Sequence, residues 1–477
     1  MEPSAAAEPT AHTPRRRRGS VVVLDGSTLS CDDVVRVARW RASVQLDDGA
    51  LDRAERAWRL AESTEAKRAV YGRTTGVGAN RDHPVDSTAA AQHGLRLLRS
   101  HAGGTGELAA PELVRATLTI RLNQLAAGGS GVHPRLVEAL ATTLQVGALP
   151  MVHHRGAIGT GDLTMLAEIA LTLTGERPWA AGGLDPVPLS PGDALAFISS
   201  NAGTLAQSCL AWHDLGRLLR ASHVITALSF LALGGSPEAY AEQVHAARPH
   251  PGAVRCAAEL RRLLAIETDY REGRRLQDPF GLRAFPQVQG PVLDAAEALG
   301  EVLRIDINAA AENPLISLDS GAVYHHGHFA TADAALSLDH VRAALHQVAE
   351  LSAARLGDLV EPELSWLTPF LAAGPGGSSG VMILEYVAHD ALGELRHTAA
   401  PVTLGTAVIS RGLEDHASFS SQAARSTSAA IEAYRVVLAC ELIAAVRALS
   451  MAEIALPDAP VASAFALARA ELPNTLE

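Results

Sequence analysis

Aromatic residues and cysteines are scarce in this chain of 477 residues. Aromatic side chains make up 4% of it, and the cysteines number four. They are far apart in sequence and form no CxxC pair, which argues against a disulfide framework and against a zinc site. The four are Cys31, Cys209, Cys256 and Cys440. We therefore expect no metal site and a reducing, cytoplasmic setting.

Long apolar runs and an excess of basic residues are also missing. No apolar run reaches the ~18 residues that span a bilayer, and no apolar segment at the start indicates a secretory signal. Lys and Arg together number 40 against 52 for Asp and Glu, which gives a formal net charge of −12. This balance argues against nucleic acid or an anionic membrane as the main partner.

The densest basic run is Arg15–Arg18, near the end of a Pro/Ala-rich segment. One interpretation is a targeting or nucleic-acid-binding patch, and the other is a solvated tail. The composition of residues 1–20 favours a disordered tail.

Helical periodicity fills most of the remaining chain. Apolar residues recur at i, i+3, i+4 and i+7, which predicts an all-α protein, and only 21–24 is strand-like. The predicted helices are 87–101, 111–127, 134–146, 162–175, 191–219, 252–267, 291–311, 331–357, 379–397 and 420–455. Gly- and Pro-rich segments separate them. After the tail, we expect a loop-rich N-terminal part (21–190), then a long central helix bundle with C-terminal helices (191–477).

Short motifs occur in a fixed order along this pattern. They read Tyr71-Gly72-x-x-Thr75-Gly76-x-Gly78, Ser100-His101-Ala102, Arg121-x-Asn123-x-Leu125, Gln277-Asp278-x-x-x-Leu282-Arg283, Asn308-Ala309-x-x-Glu312-Asn313-Pro314 and Glu414-Asp415-His416-x-Ser418. The Gly-rich segments lack the βαβ context and the Gly-Lys-Ser/Thr of phosphate-binding loops, so we do not expect nucleotide binding. In this order, the motifs resemble the histidine/phenylalanine ammonia-lyase family of aromatic amino acid lyases over nearly the whole folded chain.

The resemblance implies an ammonia-lyase-like helical fold, a homotetramer and sites lined by several chains. It implies a carbon–nitrogen lyase-like enzyme for an amino-acid-like small molecule, with Tyr71 as the general base on a mobile loop. A phenol suits that role if dipoles or cations acidify it. Arg283 suits the substrate carboxylate, because a guanidinium fork binds it bidentately. The other implied substrate-binding residues are His101, Asn123, Asn201, Gln277, Asn313, Phe329 and Glu414.

Two of these residues have structural alternatives. His101 and Glu414 match the histidine-selective branch of the family, where they can hydrogen-bond a polar ring. His101 could instead be a satisfied core histidine. Glu414, with the two residues after it, could instead cap the N-terminus of a helix.

The centre of the family pattern is altered. In the family, an Ala-Ser-Gly tripeptide before Asp-Leu cyclises with loss of two waters to give methylidene-imidazolone (MIO), an electrophile. The corresponding tripeptide, implied to be catalytic, is Gly159-Thr160-Gly161. Glycine tolerates the tight turn, but threonine would give a bulkier ethylidene group and a poorer acceptor. We therefore expect no standard MIO and no other cofactor.

Further departures fall on the electrophile side of the implied site. Phe280 replaces a family tyrosine, His328 replaces an asparagine before the aromatic residue, and Leu413 replaces a glutamine. The family asparagine that would hold the electrophile's oxygen corresponds to Ser199 or to a shifted Asn201. The base, the carboxylate clamp and the ring-recognition residues are retained.

Three functions are consistent with this pattern. The first is an enzyme of this fold without standard MIO, which uses Tyr71 for proton transfer in an elimination, conjugate addition or cyclisation. Its substrate would be histidine-like or derived from an aryl amino acid. The second is an ammonia-lyase or 2,3-aminomutase with a Thr-derived electrophile. The third is a catalytically silent binding homologue, against which the retained Tyr71 and Arg283 argue.

Overall fold

The structure, a computed structural model, describes residues 21–86, 90–267 and 274–472. The predicted disordered tail, residues 1–20, lies outside the described residues. Most of the described chain is helical, which confirms the predicted fold class. Within the described residues, no helix combines the length and apolar character needed to cross a membrane.

The helices overlap each predicted helical segment, and several further helices lie outside those segments. They are α1 (Cys31–Trp40), α2 (Ala50–Glu65), α3 (Ala90–His101), α4 (Pro111–Ala126), α5 (Pro134–Val146), α6 (Leu163–Leu173), α7 (Asp193–Ile198), α8 (Ala202–Leu233), α9 (Glu242–Ala246), α10 (Pro251–Leu264), α11 (Phe280–Arg283), α12 (Phe285–Asp306), α13 (Ala332–Val360), α14 (Pro362–Ser365), α15 (Ile383–Thr398), α16 (Ser420–Ala452) and α17 (Pro460–Glu471).

Short strands pair two by two at the edges of the helical body. They are β1 (Val22–Leu24), β2 (Val44–Leu46), β3 (Thr105–Leu108), β4 (Leu149–Pro150), β5 (His153–Arg155), β6 (Trp179–Ala181), β7 (Leu315–Ser317) and β8 (Ala322–Tyr324). β1 pairs with β2 in parallel, whereas β3 with β5, β4 with β6, and β7 with β8 are antiparallel. The segment 21–24, which is strand-like in sequence, therefore contains a strand, β1.

The long helices form the centre of the fold. α13 and α16 pack on each other, α16 also packs on α8 and α15, and α12 packs on α13. One hydrophobic core contains side chains from both 21–190 and 191–477, such as Leu118 and Leu205. Cys31 and Cys209, distant in sequence, meet in this core with their Sγ atoms 3.4 Å apart, and both are free thiols.

The apolar periodicity of 291–311 and 331–357 alone predicts faces that stay exposed unless chains assemble, and for most of these faces this prediction is wrong. Leu299, Leu303, Leu345 and Val348 are fully buried, because α12 and α13 pack on each other and on neighbouring helices. Ile305 and Leu336 of these segments are exposed, and so are large apolar side chains of other segments: Leu276, Phe280, Ile383, Tyr386, Leu404 and Val408.

A buried ion pair joins the central helices. Arg355 on α13 donates to both carboxylate oxygens of Glu441 on α16, at 2.6 and 2.8 Å, and both side chains are fully buried. Ser229 and Ser352 donate to the same carboxylate. The remaining guanidinium nitrogen of Arg355, Nη1, donates to the carbonyl of Gly281 at 3.0 Å. The ion pair is therefore also connected to α11. The charges are therefore paired and hydrogen-bonded, as burial requires.

We predict that Glu441→Gln lowers the free energy of unfolding by about 3–5 kcal/mol, because it leaves the Arg355 charge buried without a counter-charge. Chemical denaturation measures the change. Glu432→Gln, which removes an exposed ion pair with Arg435 on the same helix, is the matched control and should cost less than about 1 kcal/mol. Equal losses in the two variants would contradict the prediction.

Candidate active site

Several of the predicted site residues line one cavity of about 720 Å³. Its walls come from the loop after α2, the end of α3, the segments before α6 and after α7, the β7–β8 region and the loop before α16. The predicted residues that it brings together are Tyr71, His101, Thr160, Asn313, Phe329 and Glu414.

Tyr71 lies in a loop whose backbone conformation requires a glycine next to it. Its hydroxyl oxygen accepts a hydrogen bond from the backbone N–H of Gly78 at 2.7 Å. Gly72 has φ +69°, and a Cβ there would lie 1.9 Å from Leu195. Burial raises the pKa of the Tyr71 phenol; the Gly78 N–H opposes this shift, and the Glu414 carboxylate adds to it. Arg81 also opposes the shift, but the net effect within one chain is a raised pKa, the opposite of the acidification that a base requires.

His101 and Glu414 lie on the same cavity wall. The Nδ1 atom of His101 donates to the Leu97 carbonyl at 2.8 Å, so the neutral ring has Nε2 as its acceptor. Burial raises the pKa of Glu414, and His101 opposes that shift. The helix-cap alternative for Glu414 is wrong: Glu414 pairs with Ile409 in a β-bridge, and α16 starts only at Ser420. His101 ends α3 and lines the cavity instead of packing in the core.

The altered tripeptide is a tight turn held by the start of α16. Gly159 has φ +88°, and a Cβ on it would lie 2.1 Å from Ser418 Oγ. Its carbonyl accepts from the Ser418 hydroxyl at 3.1 Å. The Gly161 N–H, the nucleophile that cyclisation needs, donates to Asn201 Oδ1 at 3.1 Å. The alanine of the family tripeptide therefore does not fit here without a shift of these contacts.

Ser199 and Asn201 occupy different places. Ser199 lines the cavity, and its Oγ accepts from the Asn313 N–H at 3.0 Å. The amide of Asn201 is bonded at both ends, because Oδ1 accepts from Gly161 and Nδ2 donates to the Phe329 carbonyl at 2.6 Å. Ser199 therefore faces the cavity, and Asn201 fixes the backbone behind it.

Arg283 and Gln277 lie in a second cavity of about 610 Å³, together with Phe280. The Nε atom of Arg283 donates to the Asp278 carbonyl at 2.8 Å, and its guanidinium lies 4.4 Å from the centre of the Phe280 ring. One chain therefore does not bring the predicted carboxylate clamp beside Tyr71.

Asn123 is fully buried in α4, away from both cavities. Its Oδ1 accepts from the Gly26 N–H at 3.0 Å, and its Nδ2 donates to the Ile307 carbonyl at 2.9 Å. These contacts join the first turn of the chain to the end of α12.

Two histidines that line the cavity, His325 and His326, are not among the site residues predicted from the sequence. The Nε2 atom of His325 accepts from the Tyr71 N–H at 3.2 Å. The signal that could have indicated them is the His-His-Gly-His run directly before Phe329. No group of three or more His, Cys, Asp or Glu side chains in the described ranges has an arrangement that could hold a metal ion.

Comparison with known proteins shows the family. The family model for aromatic amino acid lyases matches residues 29–470. The chain belongs to the aromatic amino acid lyase family. It is 36% identical to a histidine ammonia-lyase of Gloeobacter violaceus over 449 residues, which cover 90% of this chain and 87% of the relative.

Solved structures of this lyase family share its fold. Ergothionase from Treponema denticola, an ergothioneine-degrading enzyme, superposes with a TM-score of 0.88 and 27% identity, covering 95% of each chain. Tyrosine aminomutase from Streptomyces globisporus gives a TM-score of 0.89 and 28% identity, covering 96% of this chain and 93% of its own. These relatives support a carbon–nitrogen lyase-like enzyme, in a family that normally depends on MIO.

We predict that Gly159→Ala lowers the free energy of unfolding by more than about 2 kcal/mol, because its Cβ would overlap Ser418 Oγ in a backbone conformation that favours glycine. Thermal and chemical denaturation measure the loss. Gly321→Ala is the matched control: Gly321 has φ +63° and open space around a Cβ, so this variant reports the backbone strain alone. If the control loses as much stability, the overlap at Gly159 has no effect.

Proposed function

We propose that this protein acts on a histidine-like or aryl amino-acid-derived substrate by proton transfer at Tyr71, without a standard MIO group. The reaction would be an elimination, a conjugate addition or a cyclisation in which the leaving group needs no electrophile. The observation that carries the proposal is the cavity that holds Tyr71, His101 and Glu414 beside a tripeptide unsuited to the standard group.

The proposed absence of standard MIO rests on the contacts of the tripeptide. Cyclisation requires the Gly161 nitrogen to attack the Gly159 carbonyl. The Gly161 N–H is hydrogen-bonded to the Asn201 side chain, and the Gly159 carbonyl is hydrogen-bonded to the Ser418 side chain. The space that an alanine methyl would need at Gly159 is taken by Ser418. Thr160 would in any case give an ethylidene group in place of the methylidene.

We predict that the purified protein has the full mass of its sequence, because the tripeptide stays uncyclised. Intact-protein mass spectrometry measures this, and a cyclised tripeptide would be lighter by two waters. Thr160→Ser should also keep its full mass, since Gly159 and its contacts are unchanged. A deficit of two waters in the wild type, lost in Thr160→Ala, would favour the alternative of a Thr-derived electrophile.

The proposed substrate placement uses residues from both cavities. The ring lies near His101 and Glu414, whose acceptor nitrogen and carboxyl group suit an imidazole, and histidine ammonia-lyases are among the relatives. The carboxylate lies on Arg283, contributed by another subunit of a homotetramer. Support for assembly comes from the exposed apolar residues Phe280, Tyr386 and Leu404, because apolar groups of this size favour contact surfaces.

We predict that Tyr71→Phe removes at least about 99% of turnover with little loss of binding, because only the proton-transferring oxygen is deleted. Arg283→Ala should instead abolish binding, since the carboxylate loses its counter-charge. Turnover is followed as loss of substrate by liquid chromatography with mass detection, on a substrate found by screening imidazole- and aryl-substituted amino-acid derivatives.

Mixing the two variants tests whether each site draws on several chains. Co-refolded Tyr71→Phe and Arg283→Ala chains should regain about a quarter of wild-type activity, because a quarter of the sites then combine an intact tyrosine with an intact arginine. Each variant refolded alone is the control. Full activity in Tyr71→Phe would refute its role and favour a silent homologue, and an inactive mixture would refute the shared site.

A further inference from the structure

One side chain connects the loop that carries Tyr71 to the loop before α16. The Tyr71 hydroxyl oxygen accepts from the Gly78 N–H at 2.7 Å, and the next backbone N–H, that of Ala79, donates to Ser410 Oγ at 2.9 Å. Both Tyr71 and Ser410 line the cavity of about 720 Å³. Two consecutive N–H groups of the loop are therefore bound, one by the phenol and one by Ser410.

The two loops approach each other this closely because residue 78 is a glycine. Gly78 has φ +57°, and a Cβ on it would lie 2.5 Å from Ser410 Oγ and 3.8 Å from Glu414 Oε1. A side chain at this position would therefore require the loops to move apart. The base side of the cavity and the side that carries Glu414 meet at this contact.

The contact lies at the tip of a hairpin-like loop. Thr75 and Pro84 form a β-bridge at the base of the loop, and residues 77–82 form its tip. The backbone of Tyr71 is held separately, because its N–H donates to His325 Nε2 at 3.2 Å. Loss of the contact at the tip would therefore release the tip, while the base of the loop keeps its own hydrogen bonds.

The turn that carries Ser410 has a backbone conformation that its residues rarely adopt. The Gly412 N–H donates to the Ile409 carbonyl at 3.0 Å, and the two central residues, Ser410 and Arg411, have φ of +53° and +57°. Turns with positive φ at both central positions strongly favour Gly, Asn and Asp, because a Cβ is crowded there. Ser and Arg in these places leave the turn strained.

Neighbouring hydrogen bonds keep the turn in this conformation. The Ile409 N–H donates to the Glu414 carbonyl at 2.8 Å, and the Leu413 N–H donates to the Ser410 carbonyl at 3.3 Å. Strained backbone persists only where the surrounding contacts over-determine it, and it is concentrated at functional sites. Here the strained residue Ser410 is the one that contacts the tip of the Tyr71 loop.

We propose that Ser410 is a positioning residue, whose hydroxyl oxygen holds the tip of the Tyr71 loop closed and thereby keeps the Gly78 N–H on the phenol oxygen. This inference rests on the proposed function, in which Tyr71 transfers the proton. The Gly78 N–H opposes the rise in the pKa of Tyr71 that burial causes. A released tip would therefore leave the phenol free to reorient, and also harder to ionise.

Two glycine variants separate the hydroxyl from the strain. Ser410→Gly and Arg411→Gly each place glycine at a positive φ, which glycine adopts readily, so both should fold. Only Ser410→Gly removes the acceptor of the Ala79 N–H. Hydrogen–deuterium exchange of the unliganded full-length protein, resolved to single amides, should be at least about tenfold faster at Gly78 and Ala79 in Ser410→Gly and unchanged in Arg411→Gly. Equal rates in the two variants would overturn the contact.

Kinetics connect the contact to the reaction. Ser410→Gly should lower kcat at least about tenfold and change KM less than about threefold, because the groups that bind the substrate remain. The rise of kcat with pH should also move to higher pH, since the phenol loses a donor that favours its ionised form. Arg411→Gly should match the wild type in all three.

The outcomes separate this proposal from the proposed function. Faster exchange in Ser410→Gly with wild-type kcat and pH dependence would overturn the positioning role alone, and exchange at the wild-type rate would overturn the contact itself. Full turnover in Tyr71→Phe would overturn the proposed function, and the positioning role with it.

Discussion

The buried ion pair between Arg121 and Glu312 fixes the geometry on which the candidate site depends. Both side chains are about 1% exposed, and Arg121 Nη1 lies 2.7 Å from Glu312 Oε1. The other arms of Arg121 donate to the carbonyls of Ala196 and Phe197 at the end of α7, where a cation is favourable. Ser199 follows that helix directly and Asn313 follows Glu312. One buried cation therefore positions two residues that line the cavity.

The helix that carries Arg121, α4, is buried and yet carries several polar side chains. α4 is buried almost all round, as expected of a helix at the centre of a fold. It nevertheless carries Asn123 and Gln124, which reach the Ile307 and Asp306 carbonyls. These polar groups are hydrogen-bonded to loops and helix ends, so α4 holds those segments in place from within an apolar core. The Arg121-x-Asn123 motif therefore has a structural role in this chain.

The sequence predicted the long helices well, because apolar periodicity survives wherever one face of a helix is buried. It did not predict the break between α7 and α8 at 199–201, where no Pro or Gly interrupts the pattern. That break is stabilised from a distance: the Asp162 N–H donates to the Ser200 carbonyl, and its carboxylate accepts from Thr204 on α8. Such contacts are tertiary and leave no local signal.

The sequence motifs likewise predicted only part of the candidate site. Tyr71, His101, Asn313 and Glu414 come from segments distant in sequence and meet in one cavity, as motif order predicted. Arg283 does not join them within one chain, since motif order carries no information about which copy of a chain supplies a residue. Burial and the Glu414 carboxylate raise the pKa of Tyr71 against the opposing Gly78 N–H and Arg81, so the isolated chain keeps the phenol protonated near neutral pH. A base at this position therefore needs more cationic stabilisation than Arg81 supplies, and on assembly the Arg283 guanidinium of another subunit would add to it.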